Sequence, residues 1–310
     1  MVSIAHIQSC IDRVRDSGTA SDLEVVWKSH EGWPGPLPRL QGMKTSSSDL
    51  HISVLDSSFN PPTLAHLALA LSPPPPPLSL HPINTGIQLP QVYDAHLLLL
   101  SVTNADKSLK VGDPSFPERV EMIIALAEEM KTQGTHHVSS GNVAVAVIDE
   151  ATFVGKSAKL LRYLRDHRMP HLGDRTHRLT FVLGTDTITR FFSSHYYQSE
   201  EVMKASIRKF FLAPQEAQLG EEGDGSQIAC ARRGSNLSNE GETKFLQSPG
   251  VIPYVEMGGV RMMDIPPEAA MSSTLVREGI RDPQRSGIDW EKMCAPQVAQ
   301  YIKVHGLYLE

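Results

Sequence analysis

Two short segments carry residue types whose spacing suits phosphate chemistry. The first, DSSFNPPTLAH at residues 56–66, is a polar turn of small residues that leaves an apolar run and enters a proline-initiated helix. Backbone N–H groups of such a turn, with the helix N-terminus behind them, form an anion site. Thr63 and His66 stand three residues apart, so both project from one face of the first helical turn. A histidine placed there can hydrogen-bond a phosphate and stabilise charge that develops during a reaction. A lone histidine is more often a satisfied buried residue. The second segment is MSSTLVRE at residues 271–278. Ser272 or Ser273 suits an N-cap, which leaves Thr274 and the first-turn amides to meet a ligand. Arg277 follows Thr274 by three residues on the same face and brings a guanidinium fork to any phosphate held there. Taken alone, this segment is an ordinary capped helix with a surface arginine.

Both segments need a frame that brings them together, and the intervening sequence supplies one. Strands are predicted at 50–55 (LHISVL), 96–102 (HLLLLSV), 143–148 (VAVAVI), 179–184 (LTFVLG), 227–231 (QIACA) and 260–265 (VRMMDI). Helices are predicted at 63–71, from Pro117 (PERVEMIIALAEEMK), at 157–167, from Ser272 or Ser273, and from Pro296 to about His305. Strands alternating with helices predict an α/β fold with a doubly wound, Rossmann-like, mostly parallel sheet and right-handed crossovers. Ligands of such sheets bind beyond the carboxyl ends of the strands, at the topological switch point. The loops at 56–66, 101–117, 149–156, 184–192 and 265–277 are therefore the ones to inspect, and both segments fall there. Residues 1–47 read as an N-terminal extension whose Ile4, Ile7, Ile11 and Val14 have the spacing of a short helix packed on the main domain. The domain proper spans 48–310, with a Pro-rich insertion at about 72–91 and a polar one at 214–250. The run Pro73–Pro77 favours polyproline II. It offers a site for a protein partner of SH3 type, although an exposed insertion without a role is the simpler reading.

Composition narrows the function classes. The 310 residues are 40% hydrophobic and 21% charged, enough to bury a core and too apolar for a disordered chain. A formal charge of −6 argues against a nucleic-acid coat or a polybasic membrane binder, while leaving room for a locally basic phosphate site. Three cysteines (Cys10, Cys230, Cys294), widely spaced, make neither a disulfide scaffold nor a cysteine zinc site. The N-terminus has no signal-peptide core, and no apolar run approaches the roughly 20 residues that span a bilayer. The expected address is cytoplasmic or nuclear. His167, His171, Asp174 and His177 cluster as metal ligands would, but the same stretch carries four arginines that would repel a cation. Its arginines read as a solvated face and not as an RNA site. Phe191, Phe192, Tyr196 and Tyr197 read as packing behind the 184–192 loop, and Trp27, Trp33 and Trp290 as packing residues.

The pair SSFNPPTLAH and SSTLVR, set about 200 residues apart, resembles the nucleotidylyltransferase superfamily, known for an H/T-x-x-H motif after the first strand and an ISST-x-x-R motif near the end. Within it the chain looks most like the nicotinamide mononucleotide (NMN) adenylyltransferases. SVTNADKSLK at 101–110 is similar to that family's S-P-V-N-x-x-x-K segment and PERVEM to its R-V-x-M helix. LGTDTITRFF is similar to the G-A-D-x-L-x-S-F loop, and APQVAQYIKVHGLY to the family's ending. The resemblance runs from about residue 50 to 309 and implies joining of ATP and NMN to give NAD and pyrophosphate. It implies direct attack on the α-phosphate without a covalent enzyme intermediate, so that catalysis is positioning plus charge stabilisation. By motif position, Ser57, Ser58 and Phe59 would wrap the ATP phosphates with backbone amides, with Thr63 beside them. His66 would contact the α-phosphate, and Ser272, Ser273, Thr274 and Arg277 would hold the β- and γ-phosphates. Gly184 and Asp186 would approach the adenosine, and Lys107 or Lys110 the NMN phosphate. Mg²⁺ would arrive on the nucleotide.

Three departures bear on this reading. Ser57 replaces the first glycine of G-S-F-N-P, which matters if the backbone there needs a positive φ. Ala65 stands where glycine or methionine is common. In DEATF (149–153), Ala151 occupies the position of a tryptophan that the family stacks on nicotinamide, and Phe153 is the aromatic nearest to replacing it. Other readings are an enzyme with a different acceptor such as nicotinate mononucleotide, an ATP-hydrolysing relative, or a non-catalytic nucleotide-binding adaptor.

Overall fold

Seven strands form one sheet in the order β1-β4-β3-β2-β5-β6-β7 in a computed structural model of the chain. The structure describes residues 2–16, 21–36, 49–76, 92–103, 112–133, 141–167, 176–214, 223–232, 239–265 and 271–309. The strands are β1 (Leu23–Lys28), β2 (Asp49–Asp56), β3 (Ala95–Ser101), β4 (Val143–Ile148), β5 (Thr176–Gly184), β6 (Gln227–Arg232) and β7 (Val260–Asp264). Strands β2 to β7 are parallel to their neighbours, and β1 pairs antiparallel with β4 at one edge. The chain runs β2, β3, β4 toward that edge, then returns to lay β5 beside β2 and continues outward to β7. The switch point thus lies between the carboxyl ends of β2 and β5, where the doubly wound topology opens a crevice.

Burial on both faces explains the near-continuous apolar runs of the inner strands. Leu98 and Leu100 of β3 with Val143, Val145 and Val147 of β4 face one layer, which holds α1 (Ile4–Arg15), α2 (Leu64–Leu71), α3 (Phe116–Gln133), α9 (Ser273–Arg281) and α11 (Pro296–His305). Leu97, Leu99, Ala144 and Ala146 face the other, which holds α4 (Phe153–Asp166), α5 (Thr185–Phe191) and α6 (Glu200–Phe211). Three short α-helices, α7 (Asn239–Leu246), α8 (Ile252–Glu256) and α10 (Pro283–Ser286), and two 3₁₀ turns, Ser194–Tyr196 and Trp290–Met293, complete the described chain. No helix among the described residues is long and apolar enough to cross a membrane.

Some elements differ from the sequence expectations. The N-terminal segment does more than add a helix, because β1 extends the sheet. Ile7, Ile11 and Val14 of α1 are buried with Cys10, while Ile4 is half exposed. Helix α2 starts after Thr63 as N-cap and not at the prolines. In the Pro-rich stretch, Pro75 is buried and its carbonyl accepts from the buried Arg261 (2.9 Å). The rest of that stretch, 77–91, lies outside the described residues. Within the polar stretch, β6 is an inner strand of the sheet and 239–246 is helical. Phe191 and Phe192 pack among Phe210, Phe211 and Tyr254, as a packing role requires. Of the histidine cluster, His167 stacks on Tyr163, while His171 and Asp174 lie outside the described residues.

Candidate active site

Residues 57–63 leave the carboxyl end of β2 at the switch point. The Ser57 amide bonds the Leu99 carbonyl of β3 (3.3 Å), which keeps the chain on the sheet for one residue past the strand. The turn that follows takes its positive φ at Phe59 (44°), not at Ser57. A glycine at 57 is therefore not demanded by backbone geometry. The strain falls on a fully buried phenylalanine whose ring sits 5.1 Å from that of His66. A bulky residue in the left-handed region costs on the order of 1–3 kcal/mol and persists only where its surroundings over-determine it.

His66 is held at both ring nitrogens. Its Nδ1 lies 3.0 Å from the Thr63 backbone nitrogen and 3.0 Å from Thr63 Oγ1. Its Nε2 lies 3.0 Å from Ser57 Oγ. A backbone N–H can only donate, so Nδ1 is the acceptor and the ring proton sits on Nε2. The Nε2–H then points at Ser57, across the mouth of the loop. Thr63, buried at the N-cap position, turns its hydroxyl to the histidine.

The second segment closes on the first. Ser272 caps α9, accepting from the Leu275 amide (3.2 Å). Ser273 Oγ donates to the Pro61 carbonyl (2.8 Å). Arg277 donates through Nη1 to the Asn60 carbonyl and through Nη2 to Thr274 Oγ1 (3.2 Å). Thr274 is exposed and Arg277 half-buried, so the guanidinium lies at the rim of the loop. Sequence placed these residues opposite a ligand. The structure places them against the phosphate-loop candidate itself, with Thr274 and the first-turn amides on the open side.

A further group braces the loop from behind. The Tyr308 hydroxyl donates to Asn60 Oδ1 (2.8 Å), and Asn60 Nδ2 donates to Asp113 Oδ1 (3.0 Å). Asp113 Oδ2 pairs with Arg119 Nη2 (3.3 Å), and Arg119 also reaches the Pro114 carbonyl (3.1 Å) and the Ser58 carbonyl (3.4 Å). Burial pushes the Tyr308 phenol up from its ordinary pKa and the Arg119 guanidinium down. Asn60 and Arg119 stand inside quoted motifs, but their spacing assigned them no role.

The remaining expected residues scatter around the crevice. Gly184 ends β5 and caps α5, and Asp186 is exposed in the first turn of α5. Between them Thr185 has a buried hydroxyl without a hydrogen-bond partner, a candidate the sequence reading passed over. Lys107 and Lys110 lie outside the described residues. Phe153 begins α4 and packs edge-on against Phe181 (5.7 Å) and near Phe191 (6.3 Å). Beside it the buried Lys156 pairs with Asp56 at the end of β2 (2.5 Å).

One curated relative carries a name in keeping with the motifs. This relative, the putative nicotinamide mononucleotide adenylyltransferase of Schizosaccharomyces pombe, is 35% identical over 179 residues. This chain resembles the nucleotidylyltransferases. The match covers 58% of this chain and 57% of that relative, little more than half of its length. Among solved structures, Plasmodium falciparum nicotinic acid mononucleotide adenylyltransferase complexed with NaAD aligns over 84% of this chain and 97% of its own, at 16% identity and a TM-score of 0.47. A putative nicotinate-nucleotide adenylyltransferase from Vibrio parahaemolyticus aligns over 84% and 96%, at 17% identity and a TM-score of 0.40. No protein-family model matches the chain.

Proposed function

We propose that this chain is an adenylyltransferase that joins ATP to a pyridine mononucleotide, NMN in the first instance, giving NAD and pyrophosphate. The observation that carries the reading is the junction of two distant motifs at the switch point, with Arg277 on Asn60 and Ser273 on Pro61. The name of the curated relative supports the same chemistry.

In this reading an oxygen of the acceptor's phosphate attacks the α-phosphorus of ATP in line. The new P–O bond forms as the bond to the bridging α,β-oxygen breaks, and pyrophosphate carries that electron pair away. Negative charge grows on the α-phosphoryl oxygens and on the leaving oxygen. His66 donates from Nε2 to the α-phosphate, trading its bond to Ser57 for one to the ligand. Thr63 keeps Nδ1 occupied so that the proton stays on the useful nitrogen. Amides of 57–59 and of the α9 N-terminus receive the triphosphate, with Thr274 on the open side and Arg277 over the leaving pyrophosphate. Gly184, Thr185 and Asp186 take the adenosine, with Asp186 accepting from the ribose hydroxyls. Lys107 or Lys110 meets the acceptor's phosphate. Magnesium enters as part of the MgATP substrate, liganded by phosphate oxygens and water.

The test is dinucleotide formation by the purified protein from MgATP with NMN, and in parallel with nicotinate mononucleotide, resolved by chromatography. NAD from NMN at about 1 per second or faster, as enzymes commonly turn over, supports the proposal. Product from nicotinate mononucleotide alone moves the acceptor assignment. No dinucleotide from either, with ATP still bound, overturns the transferase reading.

A further inference from the structure

The bond between Tyr308 and Asn60 joins the turn that follows α11 to the middle of the candidate phosphate loop. Helix α11 ends at His305, and Gly306 takes a left-handed conformation (φ 59°) that ends the helix and redirects the chain. Tyr308 itself has φ 67° and is buried to 2% exposure, with its hydroxyl on Asn60 Oδ1 at 2.8 Å. Two left-handed residues within three positions are what it takes to turn this side chain inward.

The Asn60 amide has one allowed orientation. Its other arm faces the Asp113 carboxylate, which only accepts, so Nδ2 must lie there and Oδ1 must face the phenol. The side chain of Asn60 is thereby held by α11's tail on one side and by the approach to α3 on the other. Its main-chain carbonyl meanwhile holds Arg277. Phe59, which precedes it, is the residue at φ 44°. A strained residue springs back when its neighbours are released, and Asn60 is the neighbour that everything grips.

We propose that Tyr308 and Asn60 are a positioning pair that fixes the 57–61 loop and the Arg277 guanidinium in one geometry for transfer. This rests on the proposed function for its kinetic part only. Tyr308 touches no substrate in this scheme; it acts through Asn60.

The experiment compares wild type, Tyr308→Phe, Asn60→Ala and the double variant by steady-state kinetics and by amide hydrogen exchange of peptides covering 57–63. Tyr308→Phe is expected to lower kcat about tenfold with KM for ATP within about twofold, and to speed exchange at 57–63 but not in β3 or β4. The double variant is expected to lose no more than Asn60→Ala alone, because the two residues act as a unit. A Tyr308→Phe protein that melts earlier yet keeps its kcat within twofold overturns the proposal, as do losses that multiply in the double variant. If wild type forms no dinucleotide, the exchange data decide alone, since unchanged protection at 57–63 overturns the pairing whatever the reaction is. If Tyr308→Phe fails to fold, Asn60→Ala carries the same two readouts.

Discussion

Arg277 donates to the main-chain carbonyl of Asn60 across 217 positions of sequence. Each residue belongs to a segment that, read alone, is an ordinary turn or an ordinary capped helix. The sheet makes the meeting possible, because β2 and β7 run parallel within it, so their carboxyl ends lie on the same side, where α9 meets the loop after β2. A guanidinium fixed by a carbonyl on one arm and by Thr274 on the other presents its remaining donors in a known direction. Lysine has no fork to share between two such partners.

Arg277→Lys should therefore lower kcat/KM by about 10- to 100-fold although the charge is kept, which corresponds to about 1.4–2.8 kcal/mol of transition-state stabilisation. Steady-state kinetics with MgATP and NMN measure it. A variant within twofold of wild type would show that only the charge matters and that the fork to Asn60 is incidental.

His66→Ala removes the Nε2 donor and should cost about 10²–10⁴ in kcat while the affinity for a non-hydrolysable ATP analogue changes less than about tenfold. In the proposed reaction the contact would strengthen as charge develops on the α-phosphate, so its loss would be felt in the transition state more than in the ground state. Calorimetric binding of the analogue beside single-turnover rates would separate the two. Equal losses in both would return His66 to a ground-state role.

The frame was legible because its signals are periodic. The inner strands β3 and β4 are continuous apolar runs, and α3 and α11 open on prolines with clear core stripes. Strand β1 hid because LEVVWK is an edge strand with charged residues at both faces and partial burial. Helix α6 had its signals in view, with Ser199 capping Val202 and Ile207, Phe210 and Phe211 on one side, yet the sequence expectations assign no element to 200–211. At the site, residue types and helical spacing single out His66, Thr63 and Arg277, whose partners in the structure lie three or nine residues away or in the opposite motif. The bracing of Asn60 by Asp113 and Tyr308 was not legible. Those contacts span 53 and 248 positions, and a hydrogen bond across such a distance leaves no spacing to read.

Phe153 tests a different reading. Its ring packs with Phe181 and Phe191 in the layer that holds α4 and α5, with Lys156 4.9 Å over its face. Phe153→Ala should thus destabilise the fold by about 2–3 kcal/mol, less than a fully enclosed ring would, while the acceptor's KM changes less than about threefold. Urea unfolding and acceptor titration give the two numbers. A tenfold rise in acceptor KM with unchanged stability would instead put the ring against the pyridine, in the role that the resemblance gives to a tryptophan at position 151.

Two histidines beneath the sheet's amino end set an acid limit on stability. His51 and His96 are buried at 6% and 4% exposure, and His96 Nδ1 bonds Ser53 Oγ (2.7 Å). Burial lowers both pKa values to about 4, with Arg178 adding to the effect at His51 and Asp49 opposing it. An unfolded histidine titrates near 6.5, so between about pH 6.5 and 4 the unfolded chain binds protons that the folded chain refuses. Stability is then full above pH 7 and falls as pH drops through that window. The loss is on the order of 3 kcal/mol for each histidine by pH 4. The steepest slope should approach about 2.7 kcal/mol per pH unit for two protons. Urea midpoints measured from pH 7.5 to 4.5 give the slope. His96→Gln should remove one proton's share of it, whatever the variant does to stability at pH 7.5. An unaltered slope in His96→Gln would mean that His96 is already charged in the fold or opens to water before the chain unfolds.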